Sequence, residues 1–232
     1  MDFIEMMMQF NLTRQEAIIY KILLQEGELT GYEVAKITGI SRSNTYSSLS
    51  GVVDKGGANV IEGNAMHYVA VPVEEFCNNK IRSMKDTMNE LIKIKPIKRV
   101  ETKGYITIKS DLHIIDKMKN IINNSKKRIY ISATKEIIKL VSKELDEALK
   151  RDIKIVIITD FYLDNNNYII YINNKTQDQI RLITDSKNVM TGNIFDGENS
   201  TCLYSKNENL INLIKESIKN EIKIIELGIS KK

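Results

Sequence analysis

Residues 30–72, TGYEVAKITGISRSNTYSSLSGVVDKGGANVIEGNAMHYVAVP, decide the fold. The stretch predicts a helix, a tight turn, a second helix and a β-hairpin, in that order. Thr30 is placed to cap the first helix, and Glu33, three residues later, reaches back to the cap in a reciprocal capping box. Val34, Ala35 and Ile37 give this helix an apolar side. Gly39 ends it, because glycine accepts the left-handed backbone of a sharp turn. Ser41 caps the second helix, in which Tyr46, Leu49, Val52 and Val53 fall at helical spacing on one face. Arg42, Ser43, Asn44, Ser47 and Ser48 occupy the opposite face. One buried stripe facing away from a small, hydrogen-bonding surface is what a helix needs to enter a DNA major groove.

Working outward, Thr13 and Glu16 form another capping box, opening a helix with Ala17, Tyr20, Leu23 and Leu24 facing inward. On the other side, Val60-Ile61-Glu62 and Met66-His67-Tyr68-Val69 flank a hairpin tip at Gly63-Asn64-Ala65. Three helices and a hairpin make a winged helix-turn-helix of the α+β class. The candidate DNA-binding residues are therefore Thr30, Tyr32, Ser41, Arg42, Ser43, Asn44, Ser47 and Ser48, with Asn64 and His67 from the wing. A small α+β domain with a merely polar surface is the competing reading. The ordered series of capped helix, glycine turn, serine-capped helix and hairpin is more specific than capped helices alone.

Charge limits how this domain would bind. Residues 1–72 carry five Lys or Arg against eight Asp or Glu, a net of −3, although the whole chain of 232 residues stands at +4. Phosphate neutralisation supplies much of any protein's affinity for DNA, so tight non-specific binding is not expected. A basic stretch, Lys93, Lys95, Lys98, Arg99 and Lys103, opposes only Glu101 and fits a solvated linker as well as a phosphate contact. At 42% hydrophobic and 28% charged residues, the composition is that of a soluble globular protein. No apolar run approaches the roughly 20 residues needed to span a bilayer. The segment 1–9 lacks a basic n-region, so it does not resemble a signal peptide. Cys77 and Cys202 lie far apart, and with only His67 and His113 there is no Cys–His cluster for zinc. No metal or cofactor is expected, and reduced thiols point to the cytoplasm.

Pro72 ends the hairpin, and residues 73–95 form one long helix closed by Pro96. Cys77, Ile81, Met84, Met88 and Leu91 step by four, three, four and three, a heptad seam over two heptads. Winged helices commonly meet palindromic sites as two-fold dimers, so this seam is the candidate dimerisation surface. Packing against its own domain is the alternative. Beyond residue 104 the pattern becomes α/β. Strands are expected at 105–108, 128–132 and 154–159, and helices at 111–123 and 135–150. The runs of Ile and Val around a helix indicate a parallel βαβ unit buried on both faces. Further strands at 168–172, 179–184, 188–194 and 200–204 precede a closing helix at 210–227. The chain thus divides into 1–72, the winged helix; 73–103, dimerisation helix and linker; and 104–232, an α/β effector or assembly domain.

The order of parts resembles the TrmB family of archaeal and bacterial transcriptional regulators. The N-terminal resemblance lies in Leu12-Thr-Arg-Gln-Glu-Ala17, Gly39-Ile-Ser-Arg-Ser-Asn-Thr-Tyr46 and Tyr68-Val-Ala-Val-Pro72. The βαβ of 128–159 with Asp185 and Gly192 looks like the phospholipase-D-like effector domain of that family. The resemblance implies a homodimeric, double-stranded DNA-binding repressor or activator whose second domain senses a small molecule, often a sugar in the best-known members. Two departures stand out. Where the family continues into Gly-Leu-Val and a basic wing, this chain has Gly56-Gly-Ala-Asn59, Glu62, Asn64 and His67. It also lacks the length of the additional sugar-binding region of the longer members, so a sugar ligand does not carry over.

Phospholipase-D chemistry needs a histidine nucleophile, a lysine two residues later and a downstream aspartate. Val69 stands two residues after His67 and Ile115 two after His113, so neither histidine supplies that motif. No glycine-rich phosphate loop or serine nucleophile elbow is present. Asp160 and Asp185 have the setting of catalytic residues, yet turn aspartates usually cap backbone. The expectation is a cytoplasmic, sequence-specific transcriptional regulator, not an enzyme, with no membrane association. Its effector would sit at Ser132, Thr134 and Asp160, near the carboxyl ends of adjacent strands. The alternative is an interaction scaffold whose winged helix binds protein, in keeping with the acidic balance.

Overall fold

The structure, a computed structural model, describes residues 1–63, 65–94, 104–162, 167–173 and 179–228. The chain divides into two compact units, Met1–Lys98 and Arg99–Lys232.

The first unit is built from locally terminated helices. Helix α1 (Phe3–Gln9) was not foreseen. Its N-cap Asp2 and Glu5 form a capping box, and so do Thr13 and Glu16 ahead of α2 (Arg14–Glu26). Strand β1 (Leu29–Thr30) leads into α3 (Gly31–Thr38), where Thr30 and Glu33 make the expected box and Gly39 takes the left-handed conformation at φ 70°. The Ser41 hydroxyl caps α4 (Arg42–Asp54). The hairpin strands β2 (Ala58–Ile61) and β3 (His67–Ala70) pair antiparallel, with Ile61 opposite His67. β1 adds a third strand beyond β3, in the order β1-β3-β2. Two residues are too few to betray a strand by alternation.

Tyr20 is fully buried at the centre of this unit, its hydroxyl donating to the Val71 carbonyl at 2.7 Å. Its ring centroid lies 5.5 Å from that of Phe76, which anchors the long helix α5 (Val73–Ile94) to the winged helix. Burial pushes the Tyr20 phenol up to about 12. Glu16 links α2 to the end of α4 through Lys55 Nζ at 2.6 Å. Burial alone would raise its carboxyl, but Lys55 and the Thr13 N–H outweigh that and hold it below the usual range. Gly51 makes the approach geometrically possible, since a Cβ there would stand 2.2 Å from the Glu16 Oε1.

Two apolar faces differ from the sequence reading. In α4 the buried residues are Thr45, Ser48, Leu49 and Val52, while Tyr46 is exposed. Thr45 can be buried because its hydroxyl is satisfied locally by the carbonyls of Ile40 and Ser41. Tyr46 instead lays its ring against Gly31, where a Cβ would meet the ring at 2.4 Å. In α3, Ile37 is exposed rather than part of the apolar side.

The second unit is a seven-stranded mixed sheet in the order β4-β10-β9-β8-β5-β6-β7. Its strands are β4 (Tyr105–Lys109), β5 (Arg128–Ser132), β6 (Lys154–Thr159), β7 (Ile169–Ile172), β8 (Gln179–Thr184), β9 (Asn188–Asn193) and β10 (Thr201–Ser205). β5, β6 and β7 run parallel and the remaining pairs antiparallel, so the expected βαβ unit is present. The expected helix at 135–150 is two, α7 (Lys135–Leu140) and α8 (Ser142–Leu149). They break at Val141, whose non-helical backbone turns its side chain fully into the core. With α6 (Asp111–Asn123), they cover one face over Ile129, Ile131, Ile157 and Leu182. The closing helix α9 (Glu208–Glu226) covers the other over Ile158, Ile183 and Val189. Pro96 and most of the basic stretch (Lys95, Lys98, Arg99, Lys103) lie outside the described residues.

Candidate nucleic-acid interface

The first turns of α3 and α4 bring the candidate residues to one surface. Arg42, Ser43, Asn44 and Ser47 are all exposed on α4. The Arg42 guanidinium lies over the ring of Tyr32, 4.8 Å from its centroid, joining the two helices by a cation–π contact. Sequence reasoning named both residues but not their pairing, because ten positions of chain separate them. Thr30 and Ser41 are engaged as caps. Thr30 Oγ1 accepts the Glu33 N–H and donates to its carboxylate, and Ser41 Oγ accepts the Asn44 N–H. Ser48 is turned inward, 92% buried, its hydroxyl 3.5 Å from Gln15 Oε1 on α2. It therefore belongs to the packing of α4 and cannot present itself to a groove.

The wing is apolar where a phosphate grip would be basic. Val60, Ile61 and Met66 are exposed along it. His67 Nδ1 stands 3.7 Å from Glu28 Oε1, an ion pair only when the ring is protonated. Asn64 lies outside the described residues.

Along α5 the heptad residues Ile81, Met84, Met88 and Leu91 are all at least half exposed. Cys77 differs, packing partly against the core of its own unit, where burial raises its thiol. Lys93 pairs with Glu90 at 2.6 Å on the same helix.

In the second unit the three candidate effector residues do not form one open cluster. Asp160 accepts the Lys135 N–H at 3.1 Å and so caps the start of α7, while Thr134 is buried at that N-cap. Ser132 is buried and accepts instead from Arg181 Nη2 at 3.0 Å. Arg181 and its partner Glu221 were missed. A lone charge inside the apolar strand 179–184 was the available signal, but its partner lies forty residues on. Asp185 is a backbone cap, accepting the N–H groups of Lys126, Lys127 and Arg128 at 2.8, 2.8 and 3.0 Å. Burial pushes its carboxyl up, but these three donors outweigh that and hold it below the usual range.

Asp185→Ala should therefore destabilise this unit by about 1–3 kcal/mol, the scale of stranding such donors. Because the folded carboxyl sits low, the wild-type contribution is complete above the ordinary aspartate range and lost as pH falls through the folded value. Urea unfolding at neutral and acidic pH should show wild type and variant converging in acid. A gap of constant size would remove Asp185 from the acid sensitivity.

Among the described residues, no group of three or more His, Cys, Asp and Glu is placed to hold a metal ion. No helix among them is long and apolar enough to cross a membrane.

The first unit is thus a winged helix running into a long helix, and the second a mixed α/β sheet covered by helices. The family model described as sugar-specific transcriptional regulator TrmB matches residues 6–74, and that of the TrmB EBD N-terminal subdomain matches 104–217. The chain belongs to the TrmB family. It is 27% identical to the uncharacterized protein YrhO of Bacillus subtilis (strain 168), over 97% of this chain and 86% of that protein. It is 24% identical to TrmBL1, an HTH-type sugar sensing transcriptional regulator of Pyrococcus furiosus, over 73% of this chain. That match spans about half, 52%, of TrmBL1. Among solved structures, the archaeal chromatin protein TrmBL2 matches 94% of this chain and 96% of its own at 18% identity and a TM-score of 0.46. A phospholipase D family member matches 50% of this chain and 93% of its own at 16% identity and a TM-score of 0.35.

Proposed function

We propose that this chain is a homodimeric, sequence-specific DNA-binding transcriptional regulator acting in the cytoplasm. Its winged helix (1–72) reads an operator, residues 73–103 dimerise and link, and residues 104–232 form a non-catalytic sensing or assembly domain. The observation that carries the proposal is the exposed polar start of α4, where Arg42 and Asn44 face outward and Tyr32 holds Arg42 from the neighbouring helix. Family membership supports the regulatory role. A small-molecule effector is proposed from the sugar sensing named for TrmBL1, with its chemistry left to the residues of this chain. Recovery of bound DNA from the whole genome tests the proposal. A shared motif of two half-sites is the expected result. Failure to recover specific DNA at any salt concentration favours a protein-binding scaffold, a reading supported by the net charge of −3 over 1–72 and by exposed Val60, Ile61 and Met66.

The second domain should show no phosphodiesterase turnover on nucleic acids, phospholipids or simple diesters, with or without divalent metals. The support is that neither His67 nor His113 is followed by lysine two residues on. Activity that survives purification and disappears with a single substitution within 104–232 would defeat this reading.

A further inference from the structure

The face of the second-domain sheet beneath α9 buries Ile158, Ile183 and Val189, and a polar group stands at one end of it. There Ser132 of β5, Asn173 at the end of β7 and Arg181 of β8 meet Ser217 and Glu221 of α9. Arg181 Nη1 donates to Ser217 Oγ at 3.0 Å, and Nη2 donates to Ser132 Oγ at 3.0 Å and to Glu221 Oε2 at 2.5 Å. Asn173 Nδ2 donates to the second Glu221 oxygen at 2.9 Å. The guanidinium and carboxylate side chains are only 16% and 15% exposed. Arg181 Nε is buried with no hydrogen-bond partner among the described residues.

Stability alone gives a poor account of this group. Two charges withdrawn from water recover little net free energy from each other, and among the described residues the Nε donor meets no acceptor, a situation that costs about 1–3 kcal/mol. An apolar pair would fill the same space beside Ile158 and Ile183 without that cost. The position matters as well, because ligands of open α/β sheets gather at the carboxyl ends of parallel strands, where Ser132 and Asn173 stand. Arginine is the side chain suited to a planar, two-pronged grip on an oxyanion.

We infer that Arg181 is the anchor of a binding site for a small oxyanion, the carboxylate or phosphate of a metabolite, and that Glu221 is its built-in competitor. Glu221 fills the guanidinium fork with a carboxylate of the chain itself. An incoming oxyanion takes that place, with Ser132, Ser217 and Asn173 as neighbouring hydrogen-bonding groups. Because Glu221 and Ser217 both belong to α9, binding loosens the end of that helix from the sheet. While α9 stays down its Ser217 and Glu221 occupy the guanidinium, so occupancy and helix position are coupled. This deepens the sensing part of the proposed function and rests on it. It makes no use of the DNA-binding reading, whose failure would show in the DNA recovery experiment and not here.

Calorimetric titration of the full chain without DNA tests the site, using inorganic phosphate in one arm and acetate in the other, at ionic strength matched with sodium chloride. Saturable binding in either arm is expected, and the arm that binds distinguishes phosphate from carboxylate. Arg181→Gln should abolish it. Glu221→Gln should tighten it by about tenfold, because removing the competitor frees a charge-assisted contact of that scale. A merely structural ion pair predicts the reverse, a less stable Glu221→Gln protein that binds neither anion. If Arg181→Gln does not fold, the Glu221→Gln titration decides alone. Affinity unchanged or weakened in Glu221→Gln, or no saturable binding in wild type and Glu221→Gln alike, overturns the site.

Discussion

Replacing Met84 and Met88 together with aspartate is expected to leave a monomer that no longer holds its operator. Helix α5 carries Ile81, Met84, Met88 and Leu91 at heptad spacing, and all four remain exposed in the single chain. Only Phe76 is fully buried on this helix, and it packs at the other end against Tyr20. In the proposed two-fold dimer each substitution occurs twice. Fully burying a methionine is worth roughly 1.5–3 kcal/mol, so four lost side chains remove roughly 6–12 kcal/mol of apolar contribution at most. That rivals the roughly 8 kcal/mol of a micromolar dimer before the cost of burying four unpaired carboxylates is added. Sedimentation should show monomers at every accessible concentration. Operator binding should fall by about 10²–10⁴, the advantage lost when two half-site contacts cease to be linked. The substituted residues make no packed core in the isolated chain, so the thermal unfolding of the winged helix should not move. That control separates lost dimerisation from lost folding. A dimer that survives the double substitution would place the interface elsewhere, most naturally in the second domain.

How much of this molecule could be seen in its sequence depended on how local the governing interaction is. The starts of α2, α3 and α4 were legible because a cap and its partner lie within three residues of each other, at Thr13 and Glu16, Thr30 and Glu33, and Ser41 and Asn44. The parallel strands β5 and β6 were legible because burial on both faces leaves unbroken Ile and Val. The rotation of α4 was not. Whether Thr45 or Tyr46 turns inward depends on Gly31, on another helix, offering a bare backbone to the tyrosine ring. The same offset hid the burial of Ser48, a residue whose size and polarity suit either surface. The break at Val141 was illegible for a related reason, since it follows from the pull of the core on one side chain.

The candidate sites follow the same division. Arg42 and Asn44 were visible because a helix start defines its own exposed first turn. Asp160 and Asp185 had the look of reactive groups, and the structure gives the first one backbone N–H to cap and the second three. The pairing of Arg181 with Glu221 spans two elements, β8 and α9, between which the chain runs through β9, a 3-10 turn at Gly197–Asn199 and β10. Nothing at either position alone announces the other.

The second large effect is expected at the recognition helix. Arg42→Ala should relax the preference for guanine at one position in each half-site, by roughly 1–3 kcal/mol of discrimination, and leave the salt dependence of binding nearly unchanged. The basis is the exposed first turn of α4, from which such helices reach base edges, and the Tyr32 ring 4.8 Å from the guanidinium carbon. A guanidinium held over a ring makes no hydrogen bond to it, which leaves its N–H donors for a base, and the contact restricts the side chain before DNA arrives. Tyr32→Phe preserves that face and should retain specificity. Tyr32→Ala removes it and should relax the same operator position as Arg42→Ala, with the double variant no worse than Arg42→Ala alone. The rival role for Arg42 is a grip on phosphate, which also suits a helix start. In that case binding would weaken evenly across sequences and the salt slope would fall by about one. The acidic balance of residues 1–72 sharpens the contrast, because with few cations on this surface each phosphate contact is a large share of the slope. Binding of Arg42→Ala to a library of operator variants at several salt concentrations separates the two. Wild-type affinity and specificity in that variant would show that α4 is not the reading element, and the case for this helix as the reader would fall with it.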